Sequence, residues 1–469
     1  MYTSYSRERL GEIFSVPRSV YFIGIGGISM SSLAHIALER GCHVSGYDRV
    51  PSALTEALEK CGVKIYYELD PSHIDDQDVI VYTAAIKPDN PELARALEYD
   101  RAGEKYCVYR ADFLGWLMSG CKNRIGVAGM HGKSTTTAML AHIFLSAKLD
   151  PTIVLGAVMD EIGGAYRVGS KDTFIMEACE YQDSFLSFTP NIAVILNIDL
   201  DHTDYFSGLD NIIDSFSKYA AIADDGYAVY NSDSENVLSA MRNYKGKRVT
   251  FGLESDAVFT AGNIVFDHGR AEFDILKKGT LFAHIKLGVT GRHNILNSLA
   301  AAAAADICGV PAEAVEKGLA SYRGAKRRME YRGSFTTASG GSVPLFDDYA
   351  HHPTEIRATL SGAKEMGYKR VWVVFQPHTY SRTASLYDEF AKSFVGVNAV
   401  FAPIYAARET NEWGVTSEKL AEDAGGLYFP TLGEIAGYLR KELRDGDMLI
   451  VMGAGDVIKL DDILLENKS

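Results

Sequence analysis

The amino-acid sequence predicts an α/β protein in which strands alternate with helices. Apolar, strand-like runs lead into glycine turns at three places, which begin near Ser19, Arg124 and Asp447. Polar and charged residues gather where several of these runs end, and open α/β sheets bind their ligands at the carboxyl ends of the strands. A chain of 469 residues is long enough to form more than one domain.

The composition is that of an ordinary globular protein, with 47% hydrophobic and 23% charged residues. A net charge of −14 argues against nucleic acid as a partner, because phosphate backbones attract basic surfaces. No apolar run reaches the length of a membrane span, and the N-terminus lacks the apolar segment of a signal peptide. The six cysteines form no CxxC pair and fit scattered thiols in a reducing compartment, so we expect a cytoplasmic location.

The first third of the chain has the pattern of a Rossmann-like unit. Gly24 and Gly26 begin a dinucleotide fingerprint, although Ser29 stands where its third glycine is expected. The next predicted strand ends in Asp48, a position from which an acidic side chain commonly binds a ribose. A second polar segment, residues 82–92, leaves the carboxyl end of another strand. These features predict a nucleotide site, and a purely structural glycine turn explains them about as well.

The second glycine turn is the clearest functional signal. Gly129 and Gly132 allow the backbone to curl and present N–H groups to an anion, at the start of a predicted helix. Lys133 can reach a phosphate, and the Ser134 hydroxyl can ligate Mg²⁺. The spacing departs from the standard phosphate loop, since Val127 stands where that pattern has its first glycine. We interpret this turn as a nucleoside triphosphate site; the alternative is a structural turn with a surface lysine.

Two strands in the middle third end in candidate metal ligands. Glu177 closes an apolar run and is predicted to face the phosphate loop, where a carboxylate can ligate Mg²⁺. Glu180 and Asp183, which follow it, fit a solvated acidic loop better. The apolar run 192–198 leads into an acidic segment that contains His202, a candidate metal or phosphate ligand.

The later part of the chain adds candidate groups for a nucleotide and for phosphoryl transfer. Asn294 and Asn297 lie one turn apart near the start of an alanine-rich helix, and amides can pair with a base. Helix capping is the alternative for Asn294. Arg328, in a basic link, could stabilise charge on a transferring phosphoryl group or could be solvated. Residues 347–355 form the densest polar cluster and follow the end of a strand.

Taken together, these motifs resemble those of the Mur ligase family over nearly the full length of the chain. Besides the phosphate loop, they are Gly-Ile-Gly-Gly-Ile-Ser-Met (24–30), Gly-Arg-His-Asn-Ile-Leu-Asn (291–297), Asp-Asp-Tyr-Ala-His-His-Pro-Thr-Glu (347–355) and Phe-Gln-Pro-His-Thr-Tyr-Ser-Arg-Thr (375–383). The resemblance implies three α/β domains. They are an N-terminal Rossmann-like UDP-sugar-binding domain (1–121), a central ATP-binding phosphate-loop domain with a parallel sheet (122–324) and a C-terminal Rossmann-like domain (325–469).

The resemblance also implies a reaction. ATP would phosphorylate the lactyl carboxylate of UDP-N-acetylmuramate, and the amine of L-alanine would attack the acyl phosphate to give an amide, ADP and phosphate. ATP and Mg²⁺ would be required, nucleic acid and membrane would not be partners, and the protein would be a monomer or homodimer. The nearest alternative within the family is a murein peptide ligase, which joins a peptide to the same UDP-sugar. A nicotinamide-dependent dehydrogenase and an ATP-regulated binding module are alternatives from other classes.

Roles for individual residues follow from the matching motifs. The ATP site would contain Gly129, His131, Gly132, Lys133, Ser134, Thr135, His293, Asn297, Arg328 and Asp348. The UDP-sugar would lie near Gly26, Gly27, Asp48, Ala85 and Asn90. Tyr349, His351 and Arg382 would face the amino acid, and Ser134, Glu177 and His202 would bind metal. The catalytic residues would be Lys133, His202, His351 and Arg382.

The sequence departs from the family pattern at several of these motifs. Ser134 replaces the commoner threonine but keeps the hydroxyl, and Ala350 replaces a glycine usual before the two histidines. Ser29 and Ser32 replace glycines usual in the N-terminal turn, where the UDP contacts are expected.

Overall fold

Three β-sheets follow one another along the chain in a computed structural model that describes residues 5–83, 85–201, 205–267, 269–324 and 327–466. Helices and strands alternate through most of it, so the predicted α/β class is confirmed. None of the helices in the described ranges combines the length and apolar character needed to cross a membrane.

The first sheet has five parallel strands in the order β3-β2-β1-β4-β5. This order matches the first five strands of the Rossmann arrangement 3-2-1-4-5-6, with the reversal of strand order between β1 and β4. Its strands are β1 (Ser19–Ile23), β2 (His43–Tyr47), β3 (Lys64–Tyr66), β4 (Val79–Tyr82) and β5 (Tyr106–Tyr109). Its helices are α1 (Arg7–Ile13), α2 (Ile28–Glu39), α3 (Ala53–Lys60), α4 (Pro91–Ala102) and α5 (Arg110–Ser119), with a 3₁₀ helix at Pro71–Ile74.

The second sheet has ten strands in the order β15-β14-β13-β12-β11-β10-β6-β9-β7-β8. Its strands are β6 (Asn123–Ala128), β7 (Thr152–Met159), β8 (Gly164–Arg167), β9 (Thr173–Glu177), β10 (Ile192–Ile195), β11 (Tyr227–Asn231), β12 (Lys247–Phe251), β13 (Phe259–Asp267), β14 (Arg270–Lys277) and β15 (Thr280–Thr290). Its helices are α6 (Lys133–Ser146), α7 (Leu209–Ala221), α8 (Glu235–Ala240), α9 (His293–Ile307) and α10 (Ala312–Ser321), with 3₁₀ segments at Asp160–Ile162 and Tyr181–Ser187.

The centre of this second sheet is parallel, as expected, and both of its edges are antiparallel. One edge turns back through the two-residue loop Lys278–Gly279, in which both residues have positive φ, 51° and 75°. Such a loop matches the twist of a hairpin, so the chain reverses directly instead of crossing over through a helix.

The third sheet has six strands in the order β16-β17-β21-β18-β19-β20, with only the edge strand β16 antiparallel. Its strands are β16 (Glu330–Thr336), β17 (Ser342–Asp348), β18 (Arg370–Phe375), β19 (Asn398–Phe401), β20 (Leu427–Tyr428) and β21 (Asp447–Met452). Its helices are α11 (Pro353–Lys364), α12 (Tyr380–Ser385), α13 (Tyr387–Lys392), α14 (Ser417–Asp423), α15 (Leu432–Glu442) and α16 (Lys459–Leu465), with a 3₁₀ helix at Asp456–Ile458.

Strand register brings the predicted motifs to the carboxyl edges of the last two sheets. Val127 on β6 pairs with Glu177 on β9, and Ala128 pairs with Ile195 on β10. The phosphate loop therefore leaves β6 between the ends of two neighbouring strands. In the third sheet Asp348 pairs with Met452, so residues 349–352 leave at the equivalent edge.

Candidate active site

The phosphate loop joins β6 to α6 and is shaped by two constraints. Gly132 has φ of +83°, and a Cβ there would lie 2.7 Å from the Asn297 side-chain oxygen. Only glycine meets both demands, because L side chains rarely adopt this conformation. Asn197 holds the loop from the other side: its Oδ1 accepts from the His131 N–H at 2.8 Å and its Nδ2 donates to the His131 carbonyl at 2.9 Å.

Lys133 points back into the loop and onto a buried carboxylate. Its Nζ lies 2.9 Å and 3.1 Å from the two carboxylate oxygens of Glu180, and it also donates to the carbonyls of Gly129 and Met130. Burial alone would lower the pKa of Lys133, but the Glu180 charge outweighs it and the pKa is raised. The lysine is therefore held as a cation where an anion is expected.

The expectation of a solvated acidic loop after Glu177 is wrong for Glu180, whose side chain is 1% exposed. The chain turns sharply just beyond it, because Gln182 and Asp183 both adopt left-handed backbone conformations, with φ of 54° and 55°. Asp183 is half-buried and accepts hydrogen bonds from the hydroxyls of Tyr205 and Ser215. Sequence alone gave no signal that separates this buried ion pair from a surface loop.

Glu177 and Ser134 lie together, as the metal prediction requires. The Gly156 N–H donates to Glu177 Oε1 at 2.8 Å, and Ser134 forms a side-chain hydrogen bond to the same carboxylate. Burial raises the pKa of Glu177. A carboxylate and a hydroxyl beside a phosphate loop are hard oxygen donors of the kind that Mg²⁺ takes, and so the pair fits this ion. His202, the third predicted ligand, lies outside the described residues.

A cavity of about 750 Å³ lies between the second and third sheets, next to the phosphate loop. Seven of the ten residues predicted for the ATP site line it, namely His131, Gly132, Thr135, His293, Asn297, Arg328 and Asp348. The remaining three, Gly129, Lys133 and Ser134, belong to the loop itself and to the start of α6. The structure therefore brings the predicted ATP-site residues together around one space.

The side of the cavity formed by α9 carries neutral, hydrogen-bonded groups. Asn297 Nδ2 donates to Asn294 Oδ1 at 3.0 Å, and Asn294 Nδ2 donates to the Thr290 carbonyl at 2.7 Å. Burial, with help from the charge of Arg328, lowers the pKa of His293 to about 4. Asn294 therefore braces Asn297 and closes the turn before the helix, but it does not cap the helix by accepting from a backbone N–H.

The opposite side is formed by the link into the third sheet. Arg327 and Met329 have left-handed backbone conformations, with φ of 60° and 49°, on either side of Arg328. Asp348 fixes this turn, since its carboxylate accepts from the Met329 N–H at 2.9 Å and the Ala350 N–H at 2.8 Å. Burial raises the pKa of Asp348 to about 6 against the opposing charge of Arg328.

Tyr349, His351 and Arg382, the residues predicted to face the amino acid, lie close together. The rings of Tyr349 and His351 have centroids 5.3 Å apart, and His351 Nδ1 lies 3.0 Å from the Tyr349 carbonyl. Burial lowers the pKa of His351 to about 4. Arg382 donates from Nε to Asp201 Oδ1 at 3.1 Å, which ties α12 to the end of the second sheet.

Two carboxylates at this junction were not among the predicted site residues. His131 Nε2 lies 3.2 Å from Asp199, and His131 Nδ1 lies 3.4 Å from Glu355 on α11. Burial opposes the charge on this imidazole, but the two carboxylates raise the pKa of His131 to about 9. Glu355 stands in the quoted 347–355 motif, so its motif was visible in the sequence while its contact with the phosphate loop was not.

The residues predicted for the UDP-sugar lie at the carboxyl edge of the first sheet. The Gly26 N–H donates to Asp48 Oδ2 at 2.7 Å, and Gly27 begins α2 without a side-chain cap. Asn90 caps α4 by accepting from the Leu93 N–H at 3.0 Å, and Ala85 lies in the loop after β4.

Arg110, which the sequence motifs did not single out, contacts the glycine turn at this edge. Its Nη1 donates to Ser29 Oγ at 2.9 Å. Burial raises the pKa of Cys179, the neighbour of Glu180, and the charge of Arg110 opposes that rise.

Comparison with known proteins supports one family along the whole chain. Three family models match in succession: "Mur ligase family, catalytic domain" at residues 19–121, "Mur ligase middle domain" at 127–305 and "Mur ligase, glutamate ligase domain" at 327–455. The UDP-N-acetylmuramate–L-alanine ligase of Clostridium novyi (strain NT) is 44% identical over 458 residues, which cover 96% of this chain and 98% of that protein.

Solved structures agree in fold. The UDP-N-acetylmuramate–alanine ligase of Thermotoga maritima matches with a TM-score of 0.75 and 27% identity, covering 96% of this chain and 98% of the other. A murein peptide ligase from Psychrobacter arcticus 273-4 matches with a TM-score of 0.67 and 23% identity over the same shares. From its successive domain matches and its near full-length relatives, we conclude that this chain belongs to the Mur ligase family.

Proposed function

We propose that this protein is an ATP-dependent ligase that joins L-alanine to the lactyl carboxylate of UDP-N-acetylmuramate, a step of peptidoglycan precursor synthesis. One observation carries the proposal: a single carboxylate, Glu355, contacts both the phosphate-loop residue His131 and the backbone N–H of His351. His131, in the loop that would hold the triphosphate, and His351, whose imidazole is neutral, therefore lie on two sides of the Glu355 side chain. Phosphoryl transfer and amine attack need that proximity.

The first half-reaction moves the terminal phosphoryl group of ATP to the lactyl carboxylate. Lys133 and the loop N–H groups would hold the β- and γ-phosphates, and Arg328 would neutralise charge that develops on the transferred group. Arg328 suits this role because it lines the cavity and is held there by its ion pair with Glu355 at 3.4 Å.

The second half-reaction requires a free amine. Since Nδ1 of His351 lies on the Tyr349 carbonyl and its lowered pKa keeps the ring neutral, Nδ1 carries the hydrogen and Nε2 has a free lone pair. Nε2 is then available to accept a hydrogen bond from the alanine amine and to orient it toward the acyl phosphate. Arg382 would bind the carboxylate of the amino acid or the acyl phosphate.

Ser134 and Glu177 would hold Mg²⁺ together with phosphate oxygens, since this ion commonly takes one or two protein ligands beside nucleotide phosphates. When bound, Mg²⁺ supplies charge neutralisation to the phosphates. Among the described residues, no cluster of three or more His, Cys, Asp or Glu side chains could hold a metal by itself.

The choice of substrates is supported by the activity for which the relatives are named, in particular the C. novyi ligase at 44% identity. Within the chain we assign residues 1–121 to the UDP-sugar, 122–324 to ATP, and 325–469 to closing the site over both. Gly26, Gly27, Asp48, Ala85 and Asn90 remain the proposed contacts of the uridine diphosphate.

Amine-dependent phosphate release tests the proposal. Purified protein is supplied with UDP-N-acetylmuramate, Mg·ATP and one amine from a panel of L-alanine, glycine, L-serine and a tripeptide. We expect release with L-alanine and near-complete loss of it in Lys133→Ala. Release with the tripeptide and none with L-alanine would instead identify a murein peptide ligase.

A further inference from the structure

We propose that Glu355 is a positioning residue that orients the cationic groups of His131 and Arg328 toward the bound phosphates. The inference deepens the proposed function and rests on it for the identity of the bound nucleotide. Glu355 is not among the residues that the family motifs assign to a substrate.

The two carboxylate oxygens of Glu355 have separate partners. Oε1 lies 3.4 Å from His131 Nδ1 and 3.4 Å from Arg328 Nη1, so one oxygen serves two cations from different parts of the chain. Oε2 accepts from the His351 N–H at 3.2 Å. The side chain is only 10% exposed, which leaves little freedom for other contacts. One carboxylate therefore fixes groups on the phosphate loop, on the link into the third sheet and on the turn before α11.

A carboxylate in the wall of a cavity for a triphosphate is unexpected on charge alone. Glu355 lines the cavity with His131 and Arg328, and a bare negative charge there would repel phosphate. Whether Glu355 helps or hinders phosphate binding depends on the two cations that it contacts, His131 and Arg328. Without Glu355, the imidazole of His131 would keep its ion pair with Asp199 but lose the one with Glu355, and Arg328 would lose the ion pair that directs it.

Two explanations then predict opposite results for Glu355→Gln, which removes the charge and keeps the shape. If Glu355 only adds negative charge, the variant binds Mg·ATP more tightly. If Glu355 positions the two cations, the variant binds Mg·ATP more weakly, by roughly tenfold for coupled neighbours of this kind.

The test is a double-mutant cycle measured by calorimetric titration with Mg·ATP alone. We expect Glu355→Gln to weaken binding and His131→Gln to weaken it too, while the double variant is no weaker than the worse single one. Kinetically, KM for ATP should rise in Glu355→Gln and KM for UDP-N-acetylmuramate should stay unchanged, a split that a general loss of structure would not produce. Glu365→Gln, at the exposed end of the same helix, is the matched control and should change neither.

Tighter or unchanged Mg·ATP binding in Glu355→Gln would overturn the proposal, as would single effects that multiply in the double variant. If Glu355→Gln does not fold, the same cycle with Glu355→Asp keeps the charge but shortens its reach by one methylene, and the same outcomes apply. Because the titration uses no sugar and no amine, failure of this inference is distinct from failure of the ligase assay.

Discussion

The ion pair between Lys133 and Glu180 makes stability and activity separable. Glu180 is 1% exposed and Lys133 is 16% exposed, so replacing either one removes the ion-pair partner of a largely buried charge. Breaking a buried pair in this way costs about 3–5 kcal/mol. We therefore expect Lys133→Met and Glu180→Leu each to lower the free energy of unfolding by about that amount.

The double variant should recover most of this loss, because neither charge remains and the apolar side chains fill a similar volume. The carbonyls of Gly129 and Met130 still lose the lysine as a donor, so about 1–3 kcal/mol should stay missing. Phosphate release should remain absent in the double variant, since no cation is left to hold the phosphates.

Urea unfolding followed by tryptophan fluorescence, together with the phosphate-release assay, measures both quantities. Lys218→Met, which breaks an exposed pair with Asp214, is the control and should leave the midpoint nearly unchanged. A double variant as unstable as the sum of the two single losses would refute the reasoning, because the pair would then not be compensating two buried charges.

Three further predictions concern other positions. The pKa of His131 is raised to about 9, above its ordinary 6.5, so its ion pairs stabilise the folded protein fully below pH 6.5 and this stabilisation is lost as the pH rises through 9. Between pH 6.5 and 9 the unfolding midpoint of the unmodified protein should therefore fall more than that of His131→Gln. Gly132→Ala should lower the free energy of unfolding by about 1–2 kcal/mol through backbone strain, and it should also weaken Mg·ATP binding in a titration because the new Cβ would meet Asn297. Gly163, the control, has φ of +68°, and a Cβ there would meet no atom of the described residues within 4 Å, so Gly163→Ala should show the strain alone. Burial raises the pKa of Asp461 from 3.8 to about 7, so ionising this carboxyl destabilises the folded protein increasingly as the pH rises from 3.8 to 7. The melting temperature of Asp461→Asn should therefore be higher than that of the unmodified protein at pH 8 but not at pH 4.

Much of the fold could be read from the sequence because local signals govern it. The apolar runs that end at Glu177 and Asp348 form strands with those residues at their ends, and Pro353 opens α11 as its fixed φ favours. The phosphate loop was recognisable for the same reason, since Gly132 and Lys133 act within a few residues of each other.

Contacts between distant parts of the chain were beyond the reach of such signals. Asp199 approaches His131 because β6 and β10 are neighbours in the second sheet, and Glu355 approaches it because the second and third sheets bring their carboxyl edges together. Glu180 reads as a polar loop residue until the left-handed turn at Gln182 and Asp183 is known, because periodicity does not report which side of a loop is buried.

The cavity beside the phosphate loop has walls from two separate sheets, bridged by side chains such as Arg382 and Asp201. A molecule that fills it would contact both walls at once, so separation of the walls would remove part of its contacts. Inhibitors that engage both walls should therefore dissociate more slowly than those that bind one wall alone, which lengthens their residence time.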